Sequence, residues 1–369
     1  MKIIVLSSHT QSLFWFRMEM MQAFIEQGYS VVAIGSEPEN EWRYKFEEKG
    51  IKYKSISVQR NGINPLKDIL TLKAINTIFK EEKPDKVFAY QAKSIVYGSV
   101  AARKNQIKEF YSLIAGLGSI FRGKGLKNRI VRLVMQKQYR MACKYSKRVI
   151  FQNNDDRNIF LNKKIVEKSK TIIVNGSGVN LDIFKPVSQP KTPTFLFIGR
   201  LIKDKGIIEY LEASKIIKEK YKNVRCLLVG PFDSNPSALQ KYELTPYIEM
   251  NTVEYFGEQS DVRPFLSQCT TFILPSYHEG TPKTVLEAMA MARSIITTDA
   301  PGCRETVIPN KNGYLIPIAN IEELVIAMEK FILNPEQSKF MGEESFKIVQ
   351  EKYDVKLVNN TIMKAMNLL

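Results

Sequence analysis

Two segments in the second half of the chain carry residue types that can hold a diphosphate and a polyhydroxylated group. The first spans residues 274–291, LPSYHEGTPKTVLEAMAM. It reads as a buried strand ending at Pro275, a loop through Glu279, Gly280, Thr281 and Pro282, and a helix starting near Thr284. Gly280 permits close approach of a backbone, and Pro282 suits a first helical turn. A helix N-terminus presents unpaired N–H groups and the positive end of its dipole. The amides from Gly280 through Lys283 to Thr284 therefore make a ready anion site. Glu279 and Glu287 flank it, and carboxylates accept hydrogen bonds from sugar hydroxyls. The second segment is FIGRLIKDKG, residues 197–206, where Arg200 and Lys205 follow a strand directly. Two cations at a strand terminus are placed to neutralise two phosphates. Taken singly, either segment reads as an ordinary solvated loop, so the weight lies on the pair.

The elements that must position these residues alternate strand and helix twice over, which predicts α/β architecture with parallel sheets. In the first half, strands are expected at 2–6, 29–34, 51–57, 86–90, 109–113, 148–152 and 171–174. Helices are expected near 16–27, 65–82, 96–104 and 126–145. The pattern restarts after Pro186, Pro190 and Pro193, with strands at 194–198, 224–229, 253–256, 271–274 and 294–298. Helices there are expected at 206–221, 262–268, 284–291, 321–333, 335–352 and 355–369. This predicts a first domain over 1–185, a second over 186–352, and a terminal helix, 353–369, crossing back to the first. Ligands of open α/β sheets bind beyond the carboxyl ends of the strands. The loops after Leu6, Tyr90, Ile198, Val229 and Leu274 are therefore expected to line a cleft between two facing domains.

Composition narrows the class. Apolar content of 44% and charged content of 25% are those of an ordinary globular chain. No uncharged apolar run reaches the roughly 18 residues of a membrane span, and the opening MKIIVLSSHT reads as a first strand rather than a signal peptide. Cys143, Cys226, Cys269 and Cys303 are scattered, which predicts reduced thiols and a cytoplasmic setting. With His9 and His278 the only histidines, no metal site is expected. The net charge of +16 is uneven: residues 1–185 hold 33 basic against 16 acidic residues, residues 186–369 hold 21 against 22. Between residues 93 and 148 there are 14 basic residues and one acid, Glu109. Such asymmetry marks an anionic partner.

Arg-x-x-x-x-Lys-Gly after one strand and Glu-Gly-Thr-Pro-x-x-x-x-Glu after a later one resemble the retaining glycosyltransferases of family four, which adopt the GT-B fold of two Rossmann-like domains. Residues 175–184, starting Asn-Gly-Ser-Gly-Val-Asn, and Phe256-Gly257-Glu258 agree with that family's pattern. The resemblance implies that Arg200 and Lys205 hold the diphosphate of a nucleotide-sugar donor, UDP-linked, used as substrate with no cofactor. It implies that Glu279 contacts the donor sugar, that Glu287 contacts the ribose, and that the amides of Gly280 to Thr284 complete the cradle. In the first half, Ala89-Tyr-Gln-Ala-Lys93 with Tyr97-Gly98, and Leu113-Ile-Ala-Gly116-Leu-Gly118 with Phe121, look like the subgroup building lipid-linked oligosaccharides and capsules. That subgroup transfers N-acetylhexosamines to undecaprenyl-diphosphate-linked saccharides. Gly116 and Gly118 make no dinucleotide fingerprint, since Phe121 stands where a third glycine belongs. Many members carry a histidine near the acceptor; none lies between His9 and His278 here, which leaves Lys93 or the Ser8-His9-Thr10 loop for that place. His9, Arg17, Lys93, Gly116 and Gly118 are thus expected on the acceptor side.

Residues 125–147 form a basic amphipathic helix. Arg129, Arg132, Gln136, Arg140, Lys144 and Lys147 are expected on one stripe, and Leu126, Ile130, Leu133, Val134 and Met141 on the other, packed on the domain's own sheet or turned to lipid. Its cations predict contact with an anionic membrane surface, peripheral on the inner face of a bacterial cell membrane. The reading is sugar transfer with retention and without metal, in assembly of capsule, O-antigen or a related glycan. A sugar-nucleotide 2-epimerase of the same architecture is the alternative. Nucleic-acid binding fits less well, since the basic stretch holds no recognition module.

Overall fold

A computed structural model describes residues 1–59, 64–117, 125–235 and 237–369. The chain divides into two compact units, one of Met1–Ser177 with Val355–Leu369, the other of Gly178–Asp354. The division falls at Ser177, ahead of the prolines that set the expected boundary at 185.

The first unit runs β1 (Lys2–Leu6), α1 (Thr10–Glu26), β2 (Ser30–Gly35), α2 (Glu39–Glu47), β3 (Lys52–Ser55), α3 (Pro65–Glu82), β4 (Lys86–Tyr90), α4 (Ala92–Lys104), β5 (Glu109–Ile114), α5 (Leu126–Tyr145), β6 (Arg148–Phe151), α6 (Asn154–Asn162) and β7 (Thr171–Ile173). Its sheet has the order β3-β2-β1-β4-β5-β6-β7, every pair parallel. Alternate residues of each strand enter opposite cores, as a sheet covered on both faces requires. Ile3 and Val5 meet α1 and α2, whereas Ile4 and Leu6 meet α3, α4 and α5.

The second unit runs β8 (Thr194–Ile198), α7 (Ile207–Lys220), β9 (Arg225–Val229), α8 (Lys241–Glu249), β10 (Glu254–Tyr255), α9 (Arg263–Gln268), β11 (Thr271–Leu274), α10 (Lys283–Ala290), β12 (Ser294–Thr298), β13 (Gly313–Ile316), α11 (Ile321–Leu333) and α12 (Pro335–Lys352). Its sheet is also parallel, in the order β10-β9-β8-β11-β12-β13. In both sheets the order reverses beside the first strand, between β1 and β4 and between β8 and β11. These are the switch points where connections leave to opposite faces.

Several helix ends follow from local chemistry. Asn64 caps α3 by accepting from Lys67 N at 3.2 Å, with Pro65 in the first turn. Asn320 and Asn334 cap α11 and α12 in the same way. Helix α1 starts at Thr10, well before the expected residue 16, and Arg17 lies within both ranges.

The last helix, α13 (Val355–Ala365), belongs to the first unit. Val358, Ile362, Met363 and Met366 fill the core beneath α1. Lys86 Nζ and the Tyr111 hydroxyl both donate to Met366 O, at 2.9 and 3.0 Å. In the second unit Val179 N donates to Tyr353 O at 2.9 Å, so the chain enters and leaves that unit at one place. Trp15 and Trp42, the two tryptophans of the chain, both lie in the first unit, so their fluorescence reports its unfolding. Ile362→Ala should destabilise that transition in urea by about 2–5 kcal/mol. Leu357→Ala, at a position 46% exposed, should move it by less than about 0.5 kcal/mol.

Candidate functional site

In the second unit the switch point assembles the residues singled out by chemistry. Beyond β8 the chain turns through Arg200 into a short 3-10 turn, Lys203–Lys205, and then into α7. Gly206 makes that turn with φ of 75°, and a Cβ there would stand 2.1 Å from Pro275 O. Only glycine lets the loop after β8 lie directly against the end of β11. Tyr277 N and the Ser276 hydroxyl then donate to Asp204 O, at 2.9 and 3.1 Å. The two loops are stitched together, and Lys205 meets Glu279 in an ion pair, Nζ to Oε1. The same oxygen accepts from Ser276 Oγ at 2.8 Å. Both partners are largely buried in this unit.

The loop carrying Glu279 is held from behind. Glu279 N donates to Pro301 O at 2.9 Å. Gly302 has φ of 80°, and a Cβ on it would lie 2.2 Å from Glu279 O and 2.6 Å from Gly280 O. Gly280 has no positive φ, whereas Gly302 is pressed against the carbonyls of both Glu279 and Gly280. Helix α10 starts at Lys283, with Pro282 as its N-cap rather than inside its first turn. Gly280, Thr281, Pro282, Lys283 and Thr284 thus connect Glu279 to the helix start, and Glu287 sits within α10, 8% exposed.

Arg200 pairs with a different acid. Its guanidinium is about half exposed and binds Asp233 Oδ2 at 2.8 Å. Asp233, Ser276 and Gly302 were all missed from sequence. A Pro301-Gly302 turn after β12 was the one available signal.

The residues expected on the acceptor side lie in the first unit, on the chain that follows β1, β4 and β5. His9 is the N-cap residue of α1, its Nε2 3.7 Å from Glu37 Oε1. Lys93 pairs with Asp68 at 2.6 Å, tying α4 to α3. Gly116 follows β5 with φ of 116°, and Gly118, like Phe121, lies outside the described residues. Arg17 is no surface cation: it is 3% exposed and stands over the Tyr90 ring.

Of the two places expected for the apolar side of α5, packed on the sheet or turned outward, the structure gives the second, and the basic residues form no separate stripe. Its buried side is Tyr139, Ala142 and Cys143, with Tyr139 against Phe160. Ile130, Leu133, Val134 and Met141 are 47–59% exposed, beside exposed Arg129, Lys137 and Lys144. Arg132 is half-buried, and Arg140 donates to the carbonyls of Lys163 and Lys164, both at 3.0 Å. The Leu126 side chain lies outside the described residues. One outward face therefore mixes apolar and basic residues.

Residues 179–348 match the family model of glycosyl transferases group 1, and residues 2–153 match that of glycosyl transferase 4-like. The chain belongs to the family-four-like glycosyltransferases. This glycosyltransferase is 28% identical over 380 residues to the N,N'-diacetylbacillosaminyl-diphospho-undecaprenol alpha-1,3-N-acetylgalactosaminyltransferase of Campylobacter jejuni, with 99% of this chain and 98% of that one covered. It is 25% identical over 281 residues to the UDP-Gal:alpha-D-GlcNAc-diphosphoundecaprenol alpha-1,3-galactosyltransferase of Escherichia coli, covering 72% and 71%. Anabaena HepE in complex with UDP superposes with a TM-score of 0.77 at 16% identity over 100% of both chains. The fold class is GT-B, with two parallel-sheet α/β domains.

Cys303 packs behind the Glu279 loop, its Sγ 3.9 Å from Ser276 O. Burial pushes its thiol up to about 12, and does the same to Cys143 and Cys269, with Cys226 at about 11. A raised value leaves the thiol protonated, and thus unreactive, at pH 8. The native glycosyltransferase should release no thionitrobenzoate from DTNB at pH 8, and all four thiols should react after guanidinium is added. A fast equivalent from the native protein would contradict this burial.

Proposed function

We propose that this glycosyltransferase moves an N-acetylhexosamine, or a related deoxy-amino sugar, from a UDP-sugar to an undecaprenyl-diphosphate-linked saccharide in bacterial capsule, O-antigen or related glycan assembly. The observation that carries the reading is the Lys205–Glu279 pair with Ser276 at the switch point of the second unit. The length-wide similarity to an enzyme named for a diphospho-undecaprenol acceptor supports the acceptor class. Matches to transferase families favour transfer over the epimerase alternative.

In this reading the donor diphosphate draws Lys205 from Glu279 and Arg200 from Asp233, and takes the amides from Gly280 to Thr284 at the start of α10. No metal or cofactor takes part; the cations and amides meet the charge that grows on the leaving oxygen. The acceptor hydroxyl attacks the anomeric carbon on the face that UDP leaves, so configuration is retained. The bond to the β-phosphate oxygen breaks as the new C–O bond forms. The hydroxyl proton passes to the departing diphosphate. Glu279 positions the sugar and Glu287 the ribose. Lys205→Ala or Glu279→Ala should lower transfer by about a hundredfold or more, measured by mass spectrometry of the glycolipid product, with the unfolding transition preserved. Near-normal turnover by either variant would overturn the assignment.

The same reading places the enzyme peripherally on the inner face of the cell membrane. Among the described residues no helix is long and apolar enough to cross a membrane. The exposed face of α5 suits the interface instead, with Ile130, Leu133, Val134 and Met141 entering the acyl boundary and Arg129, Lys137 and Lys144 at the headgroups. Binding to phosphatidylglycerol vesicles should weaken as salt rises. Ile130→Ser with Leu133→Ser should weaken it by roughly tenfold or more, two large side chains being lost from the interface. Salt-sensitive binding to duplex DNA with none to vesicles would favour the nucleic-acid alternative.

A further inference from the structure

The first unit has a switch point of its own, between β1 and β4, and the residues around it are polar and buried. The hydroxyls of Ser7 and Ser8 donate to Gln91 Oε1 at 3.0 and 2.6 Å, and Ser8 N does so at 3.1 Å. Gln91 Nε2 donates to Ser12 Oγ at 3.2 Å, and that hydroxyl lies 2.8 Å from the hydroxyl of Tyr90. Gln91 is held at φ 70°, a conformation disfavoured for any residue with a side chain. Such strain persists where surrounding contacts over-determine it, and it concentrates at ligand sites.

Arg17 lies in this cluster. Its guanidinium carbon stands 5.3 Å from the centre of the Tyr90 ring, at the end of β4. The residue is 3% exposed, and its Nε has no hydrogen-bond partner among the described residues. No carboxylate pairs with it among those residues; the nearby Glu37 is engaged by Thr10 N at 2.6 Å and by Ser36 Oγ at 2.7 Å. Burial holds the guanidinium below its ordinary value, against the opposing fields of Tyr90 and Glu19. An arginine keeps its charge even so. The contrast with the second unit is direct. There the switch-point cation, Lys205, has Glu279; here the cation has an aromatic face and no anion. A ring quadrupole offsets only part of the cost of burying a charge.

We propose that Arg17, seated on Tyr90, is the docking point for a phosphate group of the acceptor, the one joined to the sugar that receives transfer. This rests on the acceptor class given above. A phosphate oxyanion fits this place because the guanidinium matches it with two parallel N–H donors and no carboxylate among the described residues answers its charge, whereas the Ser7 and Ser8 hydroxyls are already given to Gln91 and the first amide of α1 to Glu37. An uncharged sugar hydroxyl would leave the guanidinium uncompensated.

The test compares wild type with Arg17→Met and Arg17→Lys on two acceptors given the same UDP-sugar. One is a short-chain prenyl-diphosphate N-acetylglucosamine and the other its phosphate-free octyl glycoside. The wild-type preference for the diphosphate acceptor, as a ratio of kcat/KM, should fall roughly ten- to hundredfold in Arg17→Met, through KM for the acceptor. Arg17→Lys should recover part of it. The melting temperature of Arg17→Met should rise, because an uncompensated buried charge has been removed. An unchanged preference ratio, or a lower melting temperature with equal losses on both acceptors, would overturn the proposal. If neither acceptor is used by wild type, the acceptor reading fails by itself. Inorganic pyrophosphate added at saturating UDP then decides for Arg17: it should raise the melting temperature of wild type and not of Arg17→Met, and equal shifts would overturn the site.

Discussion

Parallel pairing throughout both sheets is the constraint from which the rest follows, because it sends every strand out of the core at the same edge. Where the order reverses, the chains leaving two neighbouring strands diverge to opposite faces, and side chains from both meet over the gap. In the second unit that gap lies between β8 and β11. The loop after β8 lies so close to the end of β11 that Gly206 has no room for a Cβ, and Gly302, after β12, has none against the Glu279 loop. The Lys205–Glu279 pair is the product: two charges from loops 74 residues apart, brought into contact by strand order and backbone proximity.

Pairing of this kind has a functional consequence. In the proposed reading the Glu279 carboxylate holds the Lys205 Nζ in place, and it yields that lysine to a diphosphate, which carries more charge and more acceptor oxygens. Arg200 is held in the same manner by Asp233, on a more exposed loop. Each of the two cations is thus paired with its own acid. The first unit solves the opposite problem, with apolar and basic residues sharing the outer face of α5 and the core side given to small and aromatic residues.

Much of this was legible in the sequence, for physical reasons that differ by element. Buried parallel strands such as β8, β11 and β12 are short apolar runs with turn residues at both ends, and an Asn cap followed by proline marks α3 and α12. Helices α2, α6 and α8 were missed: α2 buries only Trp42 and Phe46, α6 only Asp156 and Phe160, and α8 only Leu244 beside an internal Pro246. Each has too little apolar period to register. In α5 periodicity says which residues share a side, not which side meets the core, so the packing or exposure of Ile130, Leu133, Val134 and Met141 stays open until Tyr139, Ala142 and Cys143 are seen to take the core. The site residues that were legible follow strands within a few positions. Asp233 was not, since nothing local ties it to Arg200, and Gly302 acts through a contact with Glu279 O that no spacing reveals.

The claim that the Lys205–Glu279 pair is the resting form of a diphosphate site is tested most directly by calorimetric titration of UDP into wild type, Lys205→Met and Glu279→Gln. Lys205→Met should lose roughly tenfold or more in affinity. Glu279→Gln, which frees the lysine from its internal partner, should bind UDP as tightly as wild type or more tightly. Equal affinity for UDP in wild type and Lys205→Met would contradict the account.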